Sequence, residues 1–414
     1  MLARTLIAAS LLCCASGAAA LETLDDIYWP ETGKFPAYAY EPDPRTVIFS
    51  VFGGYDRDSN PFRLSSTDPT PGSRSDSIYR AGAGIRAELP SGRQRFVLEA
   101  RGQRNDYKGF DLLDHTSYGA GASWRWAIGN QWSGEAGIAR KRFLGSLDDV
   151  QAPVKDMITE DRTFVSAGYL VTPRWRIRGA LDWLRWDHDD PVRAELDARI
   201  WSATGGLDYV TPANNSIGGQ IKVSEGEYPN QQAVGSALVV NDYREIEASL
   251  VMHWIVTGKS TLDARAGYTR RDHDQLPQRD FDGFTGRLGL DWFVAAKTLL
   301  NFGLWREIQS TDDASASYVL SEGWSIGPAW APTVKLVFQG RYFRENREFK
   351  GDPAGLVIGV PREDSFDGFG LTAGYTPVRN VHLSIGAEWG DRTSNVIGRD
   401  FDYRLVSANA RIRF

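Results

Sequence analysis

From Thr46 onward the chain alternates apolar and polar positions in short runs. That is the period of a strand with one face toward an apolar medium and the other toward water. In the last run Val406, Ala408, Ala410, Ile412 and Phe414 alternate with Ser407, Asn409, Arg411 and Arg413. Within 118–126, Tyr118, Ala120, Ala122, Trp124 and Trp126 oppose Gly119, Gly121, Ser123 and Arg125. Farther on, Ile246, Ala248, Leu250, Met252 and Trp254 oppose Glu245, Glu247, Ser249 and His253. Phe284, Gly286, Leu288, Leu290 and Trp292 oppose Arg287 and Asp291, and Val334, Leu336, Phe338 and Tyr342 oppose Lys335, Gln339 and Arg341. A single run of this kind also suits an edge strand of a soluble sheet, so the spacing between runs has to decide.

Eight short, turn-like connections lie near 89–94, 128–131, 172–174, 211–215, 257–260, 295–297, 331–333 and 376–380. Nine longer polar connections lie near 56–74, 105–116, 144–161, 187–193, 227–243, 272–282, 309–315, 345–364 and 390–400. Short and long alternate without a break, which predicts about eighteen strands with both ends on the short-turn side. The expected fold is therefore all-β: a transmembrane, antiparallel, up-and-down outer-membrane β-barrel over 46–414, in a Gram-negative bacterium and in contact with outer-membrane lipid. Aromatics agree. Trp124, Trp126, Trp132, Trp175, Trp254, Trp292, Trp330, Tyr209 and Tyr375 flank short turns. A looser set, Tyr55, Tyr107, Trp183, Tyr268, Trp305, Tyr318, Tyr342 and Trp389, flanks long ones. Two such levels fit two membrane interfaces. The terminal Phe414 is expected to act as an assembly signal for the barrel assembly machinery, and its deletion or replacement by a charge to impair insertion.

Composition refines this picture. Residues 1–20 combine a basic start, an apolar run and Ala18-Ala19-Ala20, the form of a cleaved signal peptide. Both cysteines, Cys13 and Cys14, fall inside it, so the remainder can form no disulfide. Residues 21–45, with Pro30, Pro36, Pro42 and Pro44, suggest an extended periplasmic segment. Losing Arg4 leaves 46 basic against 53 acidic residues, 46 − 53 = −7, which gives no reason to expect nucleic acid. Mean hydropathy is −0.36, an ordinary soluble value; barrels escape hydropathy because alternate residues face the lumen.

The inner face is expected to carry Arg80, Arg86, Arg101, Arg178, Lys222, Arg265, Arg287, Arg341 and Arg411, with Glu99, Asp182, Asp208, Glu245, Glu247, Asp263, Asp291 and Glu388. An eighteen-strand barrel leaves an aqueous channel in which such charges stay solvated. They either stiffen the wall as ion pairs or bias passage toward anions. No catalytic constellation, cofactor motif or metal-ligand spacing is present. His115, His188, His253, His273 and His382 are scattered, and Asp187–Asp190 falls in a loop. The protein is expected not to be an enzyme.

One run is more specific. Val51-Phe52-Gly53-Gly54-Tyr55-Asp56-Arg57-Asp58-Ser59-Asn60-Pro61-Phe62-Arg63-Leu64 resembles the opening of the family called Putative beta-barrel porin. More closely it resembles the EpsL-like, exosortase-associated exopolysaccharide outer-membrane proteins. The resemblance implies a conduit for export of a secreted polysaccharide, polar or anionic, working with periplasmic export components. It brings no catalytic residues. A general or nutrient-specific diffusion porin is the alternative, and a structural or adhesive barrel the weaker one.

Overall fold

The computed structural model describes residues 46–67, 74–148, 150, 152–234, 237–275, 277–309, 318–350 and 361–414. The expected signal peptide and the 21–45 segment lie outside these residues. The strands in chain order are β1 (Val47–Asp58), β2 (Asp76–Ser91), β3 (Gln94–Tyr107), β4 (His115–Ile128), β5 (Trp132–Leu144), β6 (Met157–Thr172) and β7 (Trp175–His188). There follow β8 (Ala198–Val210), β9 (Ser216–Glu227), β10 (Gln232–Val234), β11 (Ala237–Val239), β12 (Tyr243–Thr257), β13 (Ser260–His273) and β14 (Phe281–Ala295). The last six are β15 (Thr298–Gln309), β16 (Tyr318–Thr333), β17 (Leu336–Lys350), β18 (Glu363–Val378), β19 (Val381–Ser394) and β20 (Phe401–Arg413).

Eighteen of these form one antiparallel sheet, each strand paired to the next and β20 paired back to β1. Only β10 and β11 stand apart, as a small hairpin in the connection after β9. Closure has a physical cause: lipid offers no partner for an unpaired backbone group, so the sheet must have no edge. The seam register runs from Ser50↔Arg413 to Asp58↔Leu405. Beyond it Phe414 and Phe49 exchange both backbone hydrogen bonds, at 2.8 and 3.2 Å.

The register fixes the faces. Along β1, Phe49, Val51 and Tyr55 are exposed outward while Ser50, Asp56 and Asp58 are buried. The same alternation runs through every wall strand, so apolar side chains cover the outside as a lipid-facing band requires. Outward rings cluster at both ends: Trp124, Trp175, Trp292 and Trp330 near short turns, and Tyr118, Trp183, Tyr268 and Trp389 toward the long loops.

Three expectations need correction. Tyr107 and Trp305 sit on the inward register, and Tyr318 is buried against Phe281 and His273, so these three rings pack the mouth and do not meet lipid. The seventh short turn lies two residues later than expected, because β16 continues through Pro332 to Thr333. Val334 and Lys335 are therefore turn residues, not members of the two faces.

A cysteine pair tests the seam directly. Phe52 and Arg411 are opposed, one residue off the hydrogen-bonded alternation that begins at Phe49 and Phe414. With the two native cysteines at positions 13 and 14 replaced, Phe52→Cys with Arg411→Cys should crosslink almost fully in folded protein, seen as a reductant-sensitive mobility shift. Phe52→Cys with Ala408→Cys should not. Equal crosslinking of both pairs, or of neither, would refute this register.

Candidate functional site

The candidate site is the inner wall. All seventeen charges anticipated for it fall on the inward register, and the arrangement is mostly one of pairs. Arg176 and Arg178 both fork onto Asp208, at 2.8 and 3.0 Å, and Arg178 also donates to Gln220 at 2.8 Å. Arg265 bridges Glu247 and Glu307, each at 2.5 Å, and Arg287 reaches the other oxygen of Glu307 at 2.6 Å. Arg80 donates to Asp56 and Asn409, both at 2.8 Å, across the seam. Arg86 meets Glu99 at 3.2 Å, and Asp182 accepts from Arg162 at 2.7 Å. His253 meets Asp263 at 2.6 Å, Asn301 donates to Asp291, and the Tyr403 hydroxyl donates to Glu388. Arg411 lies 5.9 Å from the Phe52 ring, and Arg101 is half-buried on the same face. For most of these residues the wall-pairing alternative is what the structure displays.

Two cations differ. Lys222 lies opposite Glu247 across the β9–β12 ladder, yet no hydrogen bond or ion pair holds its ammonium among the described residues. Arg341 is exposed to the lumen 5.2 Å from the Phe343 ring, and no hydrogen bond or ion pair holds its guanidinium among the described residues. These two offer charge to a passing solute without first breaking an ion pair.

Toward the outer end the inward face changes character. There, arginines are buried on aromatic rings and paired with carboxylates. Arg271 stands 4.0 Å from the Tyr243 ring and donates two bonds to Glu245. Arg362 lies 3.8 Å from the Phe349 ring and bonds Asp364, and Arg392 lies 4.2 Å from the Phe401 ring. Inward glycines make room for such rings: a Cβ on Gly226 would collide with Tyr243, one on Gly368 with Phe343 and one on Gly390 with Tyr403. The first long loop turns inward over this layer. Phe62 and Leu64 form a small core with Leu113, flanked by Phe110 and Leu147 from the next two long loops and by Leu144 at the end of β5.

Arg63 pins that loop. It sits in the left-handed region at φ +53°, costly for a bulky residue. Its guanidinium bonds Asp58 at 2.8 Å, approaches Asp148 at 3.3 Å and lies 3.7 Å from the Tyr403 ring. Burial opposes the charge, but Asp58 and Asp148 outweigh it, and the guanidinium pKa is raised. Asn60 completes the lock by accepting from the Leu64 N–H and donating to the Leu64 and Asp402 carbonyls.

Selecting lumen charges from strand interiors missed Arg63, Arg271, Arg362, Arg392 and Glu307. A signal existed for the first. Asp58, Asn60, Phe62, Arg63 and Leu64 all lie in the run quoted above for its family resemblance, and every one has a part in the lock. Among the described residues no group of His, Cys, Asp or Glu could hold a metal ion.

The profile of the family Putative beta-barrel porin 2 matches residues 252–414, from the middle of β12 through β20. No curated protein sequence matches. Among solved structures, Pseudomonas aeruginosa OpdK with vanillate is similar at 11% identity and TM-score 0.47, covering 89% of this chain and 99% of that one. Pseudomonas aeruginosa OccK2 (OpdF) in complex with glucuronate shares 11% identity at TM-score 0.49, covering 89% and 98%. A BenF-like porin from Pseudomonas fluorescens Pf-5 shares 11% at TM-score 0.48, with the same coverages. The chain is a porin-like outer-membrane β-barrel.

Proposed function

We propose that the barrel lets small polar solutes, preferentially anions, diffuse across the outer membrane. The observation that carries this reading is the layer at the outer end. A polymer leaving the cell would have to thread past arginines held between rings and carboxylates, whereas a small solute needs only the solvated lumen beside them. Unpaired Lys222 and Arg341 favour the anion. The porin family profile over the second half of the barrel supports a channel without catalysis.

Export of a secreted exopolysaccharide is the second reading, supported by the resemblance of the run from Val51 to Leu64. In planar bilayers the pure protein should conduct with a modest anion preference, and Lys222→Glu with Arg341→Glu should move the reversal potential toward cations. Deleting the gene should slow uptake of a small organic anion and leave secreted polysaccharide unchanged. Loss of polysaccharide with normal uptake would sink the diffusion reading in favour of export.

A further inference from the structure

The short-turn end carries a charge pattern that the lumen does not explain. Eight two- to five-residue turns close this rim, at 92–93, 129–131, 173–174, 211–215, 258–259, 296–297, 334–335 and 379–380, and none contains Asp or Glu. Six hold one basic residue each: Arg93, Arg174, Lys259, Lys297, Lys335 and Arg379.

At five of them the backbone is pinned in the same way. The carbonyls of Arg93, Arg174, Lys259, Lys297 and Lys335 accept from the N–H of Ala127, Val210, Phe293, Ala331 and Thr376, each on the next hairpin, at 2.7 to 3.2 Å. The cations are thus presented at equivalent positions around the rim. Four side chains also reach the next turn or the strand beside it. Arg93 donates to the Gly129 carbonyl, Arg174 to the Tyr209 hydroxyl at 2.8 Å, Lys297 to the Pro332 carbonyl at 2.6 Å and Lys335 to the Pro377 carbonyl at 2.8 Å. Lys259 makes no side-chain bond among the described residues. A neutral oxygen satisfies one donor of an ammonium or guanidinium. It leaves the remaining donors and the whole charge available.

The strand ends and turns of this rim are also apolar where they could be polar. Val256, Val294, Val334 and Val378 are exposed beside Lys259, Lys297, Lys335 and Arg379. Outward Trp292 and Trp330 stand next to them on the strands. Exposed valine next to lysine beneath a tryptophan belt suits the boundary between acyl chains and headgroups, not bulk water.

We infer that the short-turn rim binds anionic phospholipid headgroups of the periplasmic leaflet. Each phosphate would lie between the cations of adjacent turns, which are two strands and therefore about 10 Å apart. The consecutive turns bearing Lys259, Lys297 and Lys335 form the strongest arc. Opposite charge at the headgroup plane is the complementarity that selects this occupant over a zwitterionic lipid.

The test uses the full protein refolded in bilayers, with its tryptophan fluorescence quenched by dibrominated phosphatidylglycerol or dibrominated phosphatidylcholine. The native chain should prefer phosphatidylglycerol about fivefold, and 1 M salt should erase most of that preference. The triple variant Lys259→Gln, Lys297→Gln, Lys335→Gln should bring the ratio near one while keeping the heat-modifiable mobility of a folded barrel. Should the triple variant not fold, Lys259→Gln alone decides, because its side chain braces nothing; it should lower the ratio measurably. An equal affinity of the native chain for both lipids would overturn the inference and leave the ring to an acidic periplasmic partner. An undiminished preference in the variants would overturn it too, placing the lipid on the arginines of the outer strand ends.

Discussion

Replacing Arg63 with alanine should raise the single-channel conductance and make the open current unsteady. The side chain joins the inward first loop to two wall strands and a second loop: Asp58 on β1, Tyr403 on β20 and Asp148 in the loop after β5. Without the cation, Asp58 and Asp148 become buried carboxylates lacking their common partner, which costs about 3–5 kcal/mol for a broken buried pair. The local alternative is cheap: the loop swings out and both carboxylates regain water. Loop release should therefore precede unfolding of the barrel, so the effect appears in current and not in yield. Arg63→Gly removes the strain of φ +53° together with the lock, and should open the channel as alanine does. Arg63→Lys keeps the charge but loses the planar fork and the stacking on Tyr403, and should fall between. Conductance indistinguishable from the native value in all three variants would show that this loop does not narrow the path.

Much of the wall is legible in the sequence because the membrane imposes a rule that every strand must obey. Lipid outside and water inside force a period of two, and two-sided access forces short and long connections to alternate. The eight turns and nine loops read from residue types therefore reappear as the observed connections, but several strands run past the expected ends: β17 continues to Lys350 and β19 to Ser394, β6 already begins at Met157, and the turn expected at 331–333 lies at 334–335. Faces follow from parity, so the inward placement of Arg178, Arg265 or Glu247 needed no knowledge of the third dimension. What parity cannot supply is the partner. That Glu307 bridges Arg265 and Arg287 depends on register across three strands. That Tyr318 packs against Phe281 depends on how the outer ends bend over the mouth. Aromatic residues near long loops are ambiguous for the same reason: Trp183 and Trp305 look alike in sequence, yet one meets lipid and the other donates to Ser321 at 3.0 Å. The loop lock was visible only as a family-like string. Its chemistry, a cation held by acids far apart in sequence, has no local signature.

The outer layer predicts its own energetics. Arg271 is buried between the Tyr243 and Tyr318 rings, and its two donors converge on one oxygen of Glu245 at 2.9 and 2.7 Å. Neither member can reach bulk water without moving the other. Arg271→Ala should therefore destabilise the barrel by about 3–5 kcal/mol, because it strands a buried carboxylate and removes the slab that fills the space between two rings. Glu245→Ala should cost a similar amount from the opposite side. The double variant Arg271→Leu, Glu245→Leu leaves no buried charge and restores apolar volume against Tyr243 and Tyr318, so it should recover most of the loss. That recovery separates a desolvation penalty from simple cavity formation, which would grow with each truncation. Reversible urea unfolding in lipid vesicles, followed by tryptophan emission, measures all four proteins under one condition. If the two single variants match the native midpoint, the pair is solvated and the outer layer is open to water. If the double variant is the least stable of the four, the ion pair itself contributes net stability and the closed layer is held by charge rather than by packing.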